Sequence, residues 1–436
     1  MNPLIVCLHH PSHGVLEVGR LTYDKHSAYF EYLQSFLKYN LNLSPYKLAF
    51  NTQLQKGKPA PFSGLHGVFS DSLPDGWGMR LMDRAIREGH FKSDKPLAEI
   101  NPVDRLAYMG NRAMGALSYK PDTGNKEHTE ATPLDMAKLA EESLAVYRGS
   151  AESVANNLYI AGGSPGGARP KATIGLKSQA LQHKDLHHKS TGVAALSGEN
   201  DLPSDYEHWL VKFPTDTTQE AQAEGTVEYL YSIMARAGGI DFPSSQLIPA
   251  ISKQAEPSLP YFACKRFDRG PNNTRIHMHT LAGLIDADFR VCDADYEHLL
   301  KVTQALTKNQ ADVSEAFRRM VFNILVGNRD DHTKNFSFLM HANGQWRLSP
   351  AYDITYNYGP AGEHSMSVAG KGKNIGLKEI NQLAGLFSIK QSDVKGIIKH
   401  LKDAVAQWPV LANKHHIPAR LQKEISGYIQ QQCDRL

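Results

Sequence analysis

The chain has 436 residues, 41% of them hydrophobic and 21% charged, a globular composition that excludes a disordered or fibrous chain. Lysine and arginine number 48 against 45 acidic residues, and the net charge of +3 excludes a strong general attraction to nucleic acid. Four cysteines, Cys7, Cys264, Cys292 and Cys433, form no CxxC pair and no eighteen apolar residues run together, so no disulfide frame, zinc site or membrane span is expected, and a reducing cytoplasm fits.

The length predicts two or three packed units. Residues 14 to 22 alternate as a strand, and a helix is expected over Pro74 to Arg87 after a turn. Between Asn101 and Lys120 a short helix pattern passes through Gly110 into a strand at Met114 to Tyr119, and polar residues 121 to 131 mark a boundary. Thr132 before Pro133 reads as a helix start, with Met136, Ala140, Leu144 and Tyr147 on one face. Residues 158 to 175 read as strand, glycine-rich loop, strand; 182 to 206 read as an exposed polar connection before a strand at His208 to Phe213. Val227, Leu230, Tyr231 and Met234 form a helix stripe ended by Gly238-Gly239, and after a strand at Tyr261 to Phe267 the chain becomes mainly helical.

The most specific chemistry lies in Gly327-Asn-Arg-Asp-Asp-His-Thr-Lys-Asn-Phe336, after a helix whose apolar face includes Phe317, Met320, Val321 and Ile324. Four residues separate Asp330 from Asn335, the interval at which protein kinases place a substrate-facing aspartate and a magnesium-holding asparagine. Asp331 is one residue short of that interval, and it and Arg329 read as solvated or salt-bridged loop residues. A hairpin over Phe336 to Met340 and Gln345 to Leu348 would return the chain to Asp353, whose carboxylate completes a magnesium site. An Asx-rich turn is the competing reading of the loop.

The second signal is Ala161-Gly-Gly-Ser-Pro-Gly-Gly-Ala-Arg-Pro-Lys171, whose four glycines allow a backbone to bend round phosphates. By itself it reads better as an ordinary flexible turn, and the distant aspartates favour a phosphate-covering loop. The third is Lys212 in an apolar strand, where an ammonium needs partners; Glu228 on the next helix is the candidate, and Glu224 the weaker one. The basic Gly370-Lys-Gly-Lys-Asn374 reads as a solvated loop, with DNA phosphate as its competing partner.

These motifs in this order, with Lys265-Arg-Phe-Asp-Arg269 between them, resemble the HipA family of serine/threonine kinases, and Phe69-Ser-Asp-Ser-Leu-Pro-Asp-Gly76 and Pro102-Val-Asp-Arg-Leu-Ala-Tyr-Met-Gly110 resemble its N-terminal subdomain. The resemblance implies an α+β, bilobal kinase-like fold. It would comprise an N-terminal subdomain over 1 to 135, a small lobe over 136 to 270 and a helical large lobe over 271 to 436. It implies Asp330 as proton acceptor and Asn335 and Asp353 as magnesium ligands. ATP contacts would come from Gly166, Gly167, Ala168, Arg169, Pro170 and Lys171, from Lys212, and from the hinge-like Lys265, Arg266 and Phe267. His332, Thr333, Lys334, Asn335, Tyr352 and Asp353 would complete them.

Ser164 stands where family members autophosphorylate, and a phosphate of about −1.5 to −2 charges there would repel those of ATP and expel the loop. Partners implied are a protein substrate and a small helix-turn-helix antitoxin, with DNA reached only indirectly. Arg169-Pro170 and Asp331 depart from the family pattern. A small-molecule kinase on the same fold, or a nucleotide-sensing module that holds a DNA-bound repressor, are the alternatives.

Overall fold

The computed structural model describes residues 3–91, 95–124, 132–151, 156–163, 165–177, 195–250 and 260–436. Among these residues, three antiparallel sheets organise the fold. The first holds β1 (Leu4–His10), β2 (Gly14–Asp24), β3 (Ser27–Tyr32), β4 (Gln55–Lys56) and β5 (Leu117–Lys120) in the order β4-β3-β2-β1-β5. The alternation seen in the sequence is that of β2, which buries Leu16, Val18 and Leu21 and exposes Glu17 and Arg20.

The second sheet joins β6 (Pro133–Leu134), β7 (Lys171–Lys177), β8 (Ala195–Ser197), β9 (Tyr206–Lys212), β10 (Ser245–Ile248) and β11 (Tyr261–Lys265) in the order β10-β11-β9-β7-β8-β6. The third is β12 (His277–Thr280), β13 (Ser337–Met340) and β14 (Trp346–Leu348), in which β13 and β14 are the expected hairpin. Helix Gln219–Ala237, capped by the Thr218 hydroxyl, buries Val227, Leu230, Tyr231 and Met234 as their spacing requires. Helix Gln310–Val326 buries Phe317, Met320, Val321 and Ile324 and stops at Gly327 in the left-handed region, which turns the chain into the polar loop.

Local expectations fail in three places. Asn156–Gly162, ahead of the glycine-rich loop, is a helix and not a strand, because Leu158, Tyr159 and Ala161 are buried against the face of the second sheet. The helix expected from Thr132 begins at Met136 with Asp135 as its cap, since Pro133–Leu134 are taken by the sheet edge as β6. The expected exposed connection contains β8, and Ala195, Ser197, Glu199 and Leu202 are buried; its residues 182–194 lie outside the described residues.

The apolar core falls into two clusters, and the N-terminal unit contributes to both. Its sheet shares one core with the helical lobe, from Val6 and Phe30 through Phe317 to Ile425. Its helix Gly76–Arg87 places Trp77, Leu81 and Met82 in the other core, with Ile174 and Val211 of the second sheet. Polar contacts follow the same division. Asp71 accepts from His279 Nδ1 at 2.6 Å and from the Thr280 hydroxyl at 2.7 Å in β12, while Trp77 Nε1 donates to Lys171 O in β7 at 3.0 Å. The N-terminal unit therefore straddles both halves of the remaining chain. Among the described residues no helix is long and apolar enough to cross a membrane.

Candidate active site

A cleft of about 460 Å³ opens between the second sheet and the helical lobe, a volume suited to a small-molecule ligand. Its walls gather the three sequence signals. β9 brings Lys212 by strand alternation; the turn into β7 brings Gly166, Gly167, Ala168, Arg169 and Lys171. The loop after helix Gln310–Val326 brings Asp330, His332, Lys334 and Asn335, and the exit from β14 brings Tyr352 and Asp353. Lys265, Arg266 and Phe267 line it from the end of β11. Pro170 and Thr333 do not line it: the Pro170 carbonyl is engaged by Phe213 N, and Thr333 is buried in the short turn Thr333–Asn335. Ser164 lies outside the described residues.

Lys212 Nζ stands between two carboxylates, 2.6 Å from Glu228 Oε1 and 2.5 Å from Asp353 Oδ1. Burial opposes the ammonium, but Asp353 and Glu228 together reverse that and hold its pKa above the usual lysine range. The same pairing draws Asp353 well below an ordinary carboxylate despite its burial, with Lys171 and Arg169 adding to the pull. Asp353 adopts φ +55, a backbone region costly for most non-glycine residues and tolerated best by Asp and Asn. Glu224 is not the lysine's partner; it pairs with Arg169 at 3.4 Å.

Asp330 projects at the mouth of the cleft with its side chain 54% exposed and His332 Nε2 3.9 Å away. Desolvation raises its pKa, offset by His332 and reinforced by Asp353. Asn335 donates its Nδ2 to the Asp330 carbonyl at 2.7 Å, which fixes the loop and leaves the amide oxygen for another partner. Of the two readings of Asp331, solvated or salt-bridged, the structure excludes the solvated one. Asp331 is fully buried and accepts from the Tyr296 hydroxyl at 2.6 Å, from His364 Nδ1 at 2.8 Å and from Ser365 N at 2.8 Å. It braces the loop from behind, which leaves Asp330 as the carboxylate that faces the cleft.

Asp75, at the start of helix Gly76–Arg87, was not singled out by sequence reasoning although it lies inside the N-terminal motif. Its carboxylate accepts from Gly167 N and, at 2.7 Å, from Lys334 Nζ, so it ties the glycine-rich loop to the catalytic-type loop. Burial pushes its pKa up, but Lys334, the Gly167 N–H and Lys171 carry it below that of an ordinary carboxylate. The signal in the sequence was Gly76 beside it: at φ +41, a Cβ there would meet Gly167 O at 2.7 Å. Phe289, whose ring lies 5.4 Å from that of His332 with Lys334 Nζ 4.6 Å from its centroid, had no signal at all.

The cradle fits a triphosphate. Gly167 has φ +97 and a Cβ there would strike Lys171 Nζ at 2.2 Å, while Lys171 itself reaches back to Gly166 O at 2.6 Å. The acid and amide of Asp353 and Asn335 suit magnesium that also takes phosphate oxygens and water. Among the described residues no three His, Cys, Asp or Glu side chains form a self-sufficient metal cage.

Residues 163–408 match the HipA-like C-terminal domain, and residues 13–120 match the HipA N-terminal domain. The chain belongs to the HipA family. The Shewanella oneidensis MR-1 HipA, solved with HipB and its operator DNA, aligns over 99% of this chain and 96% of its own at a TM-score of 0.62 and 16% identity. The mixed α+β, HipA-like fold with its N-terminal sheet thus extends along the whole chain. Among curated relatives, "Putative kinase Y4dM" of Sinorhizobium fredii is 28% identical over 227 residues, 48% of this chain and 53% of that one. A Haemophilus influenzae protein of the same description is 32% identical over 125 residues, 27% of this chain and 36% of that one. The HipA-family chain therefore spans about half or less of the curated relatives it matches.

Proposed function

We propose that this HipA-family protein is an ATP- and magnesium-dependent kinase that transfers a phosphoryl group to a serine or threonine hydroxyl. The observation that carries this reading is the convergence of Lys212 with Glu228, Asp330 with Asn335, and Asp353 on one cleft roofed by the glycine-rich turn. Asp330 would take the proton of the acceptor hydroxyl, a role aided by its raised pKa. Asn335 and Asp353 would hold the magnesium, which when bound supplies charge neutralisation between the phosphates. Lys171 and Lys212 would bind and orient phosphate oxygens, and the backbone N–H groups of the glycine-rich turn would receive them.

The solved neighbour is a complex of HipA with HipB and operator DNA, and we extend that arrangement to this chain: the proposed partner is a helix-turn-helix antitoxin, with DNA reached only through it. Autophosphorylation on Ser164 belongs to the same proposal. The test is intact-mass and phosphosite analysis after incubation with magnesium and ATP, with and without cell extract. Phosphate on Ser164 or on serine and threonine residues of cellular proteins, lost in Asp353→Asn, supports the reading. Transfer confined to small-molecule hydroxyls would replace it with the small-molecule alternative.

A further inference from the structure

A second cavity, of about 200 Å³, shares no lining residue with the nucleotide cleft. Its walls come from the end of helix Gln310–Val326, from Arg329, from the stretch 361–375, and from the C-terminal helix Ala419–Arg435. Three cations face it: Arg329, Lys373 and Arg435. Lys373 reaches Glu363 at 3.2 Å, an exposed pair of little strength. Among the described residues neither guanidinium has a carboxylate partner. Arg329 donates to Tyr358 O at 2.9 Å and lies over the Tyr428 ring at 4.7 Å, and Arg435 donates to the Gln432 amide oxygen at 3.2 Å.

The nearby acids are committed elsewhere. Asp331 is spent on Tyr296, His364 and Ser365, Asp434 accepts from Gln430 at 2.8 Å, and Glu424 accepts from the Tyr356 hydroxyl at 3.0 Å. These carboxylates keep their charge but none lines the cavity, whose described walls carry three cations and no carboxylate, with the amide side chains of Asn374 and Gln431 as further hydrogen-bonding groups. Paired guanidinium forks match the oxygens of a phosphoryl group. The volume is below that of sites for drug-sized ligands, which suits one phosphoryl group and little else.

We propose that this cavity is an oxyanion site that takes a phosphoryl group, held chiefly by Arg329 and Arg435 with Lys373 at the rim. The site has a mechanical link to the catalytic-type loop. Arg329 directly precedes Asp330, its carbonyl accepts from the Ser365 hydroxyl at 2.9 Å, and Ser365 N donates to Asp331. An anion drawn to Arg329 therefore acts on the segment that aims Asp330; this consequence rests on the kinase reading, whereas the binding itself does not. The phosphoryl group has two sources of the same chemistry: free phosphate or a phosphorylated side chain in 354–376.

The test is a titration of the full-length protein with inorganic phosphate, followed by 31P NMR, on the wild type, on Lys373→Gln/Arg435→Gln and on the cleft variant Lys171→Gln. Lys373 is exposed and Arg435 half-buried, so the double variant keeps its thermal midpoint. Its phosphate affinity should fall at least tenfold, about 1.4 kcal/mol, while Lys171→Gln retains this binding component. Saturable binding to protein unmodified over 354–376 identifies free phosphate as occupant. Phosphopeptide mapping that finds phosphate within 354–376, together with loss of binding of added phosphate, identifies the internal source. Equal phosphate affinity in wild type and double variant overturns the proposal, and so does the absence of both binding and modification.

Discussion

Asp268→Ala takes a shared carboxylate away from two buried guanidinium groups, and the structure allows the cost to be worked out. Asp268 is 1% exposed, Arg266 5% and Arg269 8%. The carboxylate accepts from Arg266 Nε at 2.9 Å and Nη2 at 2.7 Å, from Arg269 Nη1 at 2.8 Å and, across the boundary with the N-terminal unit, from Gly115 N at 2.7 Å. Burial alone would raise its pKa; Arg266 and Arg269 reverse this and hold it far below the usual carboxylate range.

Removing one partner of a buried ion pair costs about 3–5 kcal/mol, against a total stability of about 5–15 kcal/mol. Asp268→Ala should lose that much in urea unfolding followed by circular dichroism. Asp268→Asn, which keeps the shape and one acceptor oxygen, should fall between it and the wild type. The pH dependence has a definite sign. A folded pKa below the unfolded value of about 3.9 gives a stabilisation present above that pH and lost as the pH falls below it. The wild type should therefore lose stability more steeply than Asp268→Asn on acidification. Both variants within about 1 kcal/mol of the wild type at neutral pH would refute the reasoning.

Three further outcomes follow from the site. The raised pKa of Asp330 places the acid limb of kcat/KM above the about 3.9 of an ordinary aspartate, since the carboxylate must be unprotonated to accept a proton; a limb at or below that value contradicts it. Asp331→Ala abolishes two buried hydrogen bonds and one part-buried one and should destabilise the protein by about 2–4 kcal/mol as well as slow phosphoryl transfer, whereas an unchanged urea midpoint would show that it is no brace. Asp75→Ala releases Gly167 N and Lys334, so amide hydrogen exchange across Gly166 to Lys171 should accelerate about tenfold, equivalent to about 1.4 kcal/mol, and unchanged protection would exclude the tie between units.

The sequence was most informative where spacing constrained chemistry. That Asp330, Asn335 and Asp353 meet on one cleft was legible because a short loop and a hairpin leave little freedom in where they end, and that Lys212 has a carboxylate partner was legible because a charge in an apolar strand needs one. Glu228 over Glu224 was settled by the helix face, which buries Glu228 and turns Glu224 toward Arg169. The segment Asn156–Gly162 was misread because a short apolar run does not distinguish a buried helix from a strand. Whether Asp331 is solvated or paired stayed open in the sequence because its three partners, Tyr296, His364 and Ser365, lie 33 to 35 positions away and no local pattern announces them. Asp75 reaches the cleft from the N-terminal unit and Phe289 from a distant part of the helical lobe, long-range relations that local periodicity does not encode.

The most direct measurement compares Mg·ATP binding with γ-phosphoryl transfer in the wild type and Asp330→Asn. In the proposed function Asp330 serves the acceptor and not the nucleotide, so the variant should bind Mg·ATP within about threefold of the wild type while transfer falls at least about 100-fold. Transfer at the wild-type rate by Asp330→Asn would contradict the account.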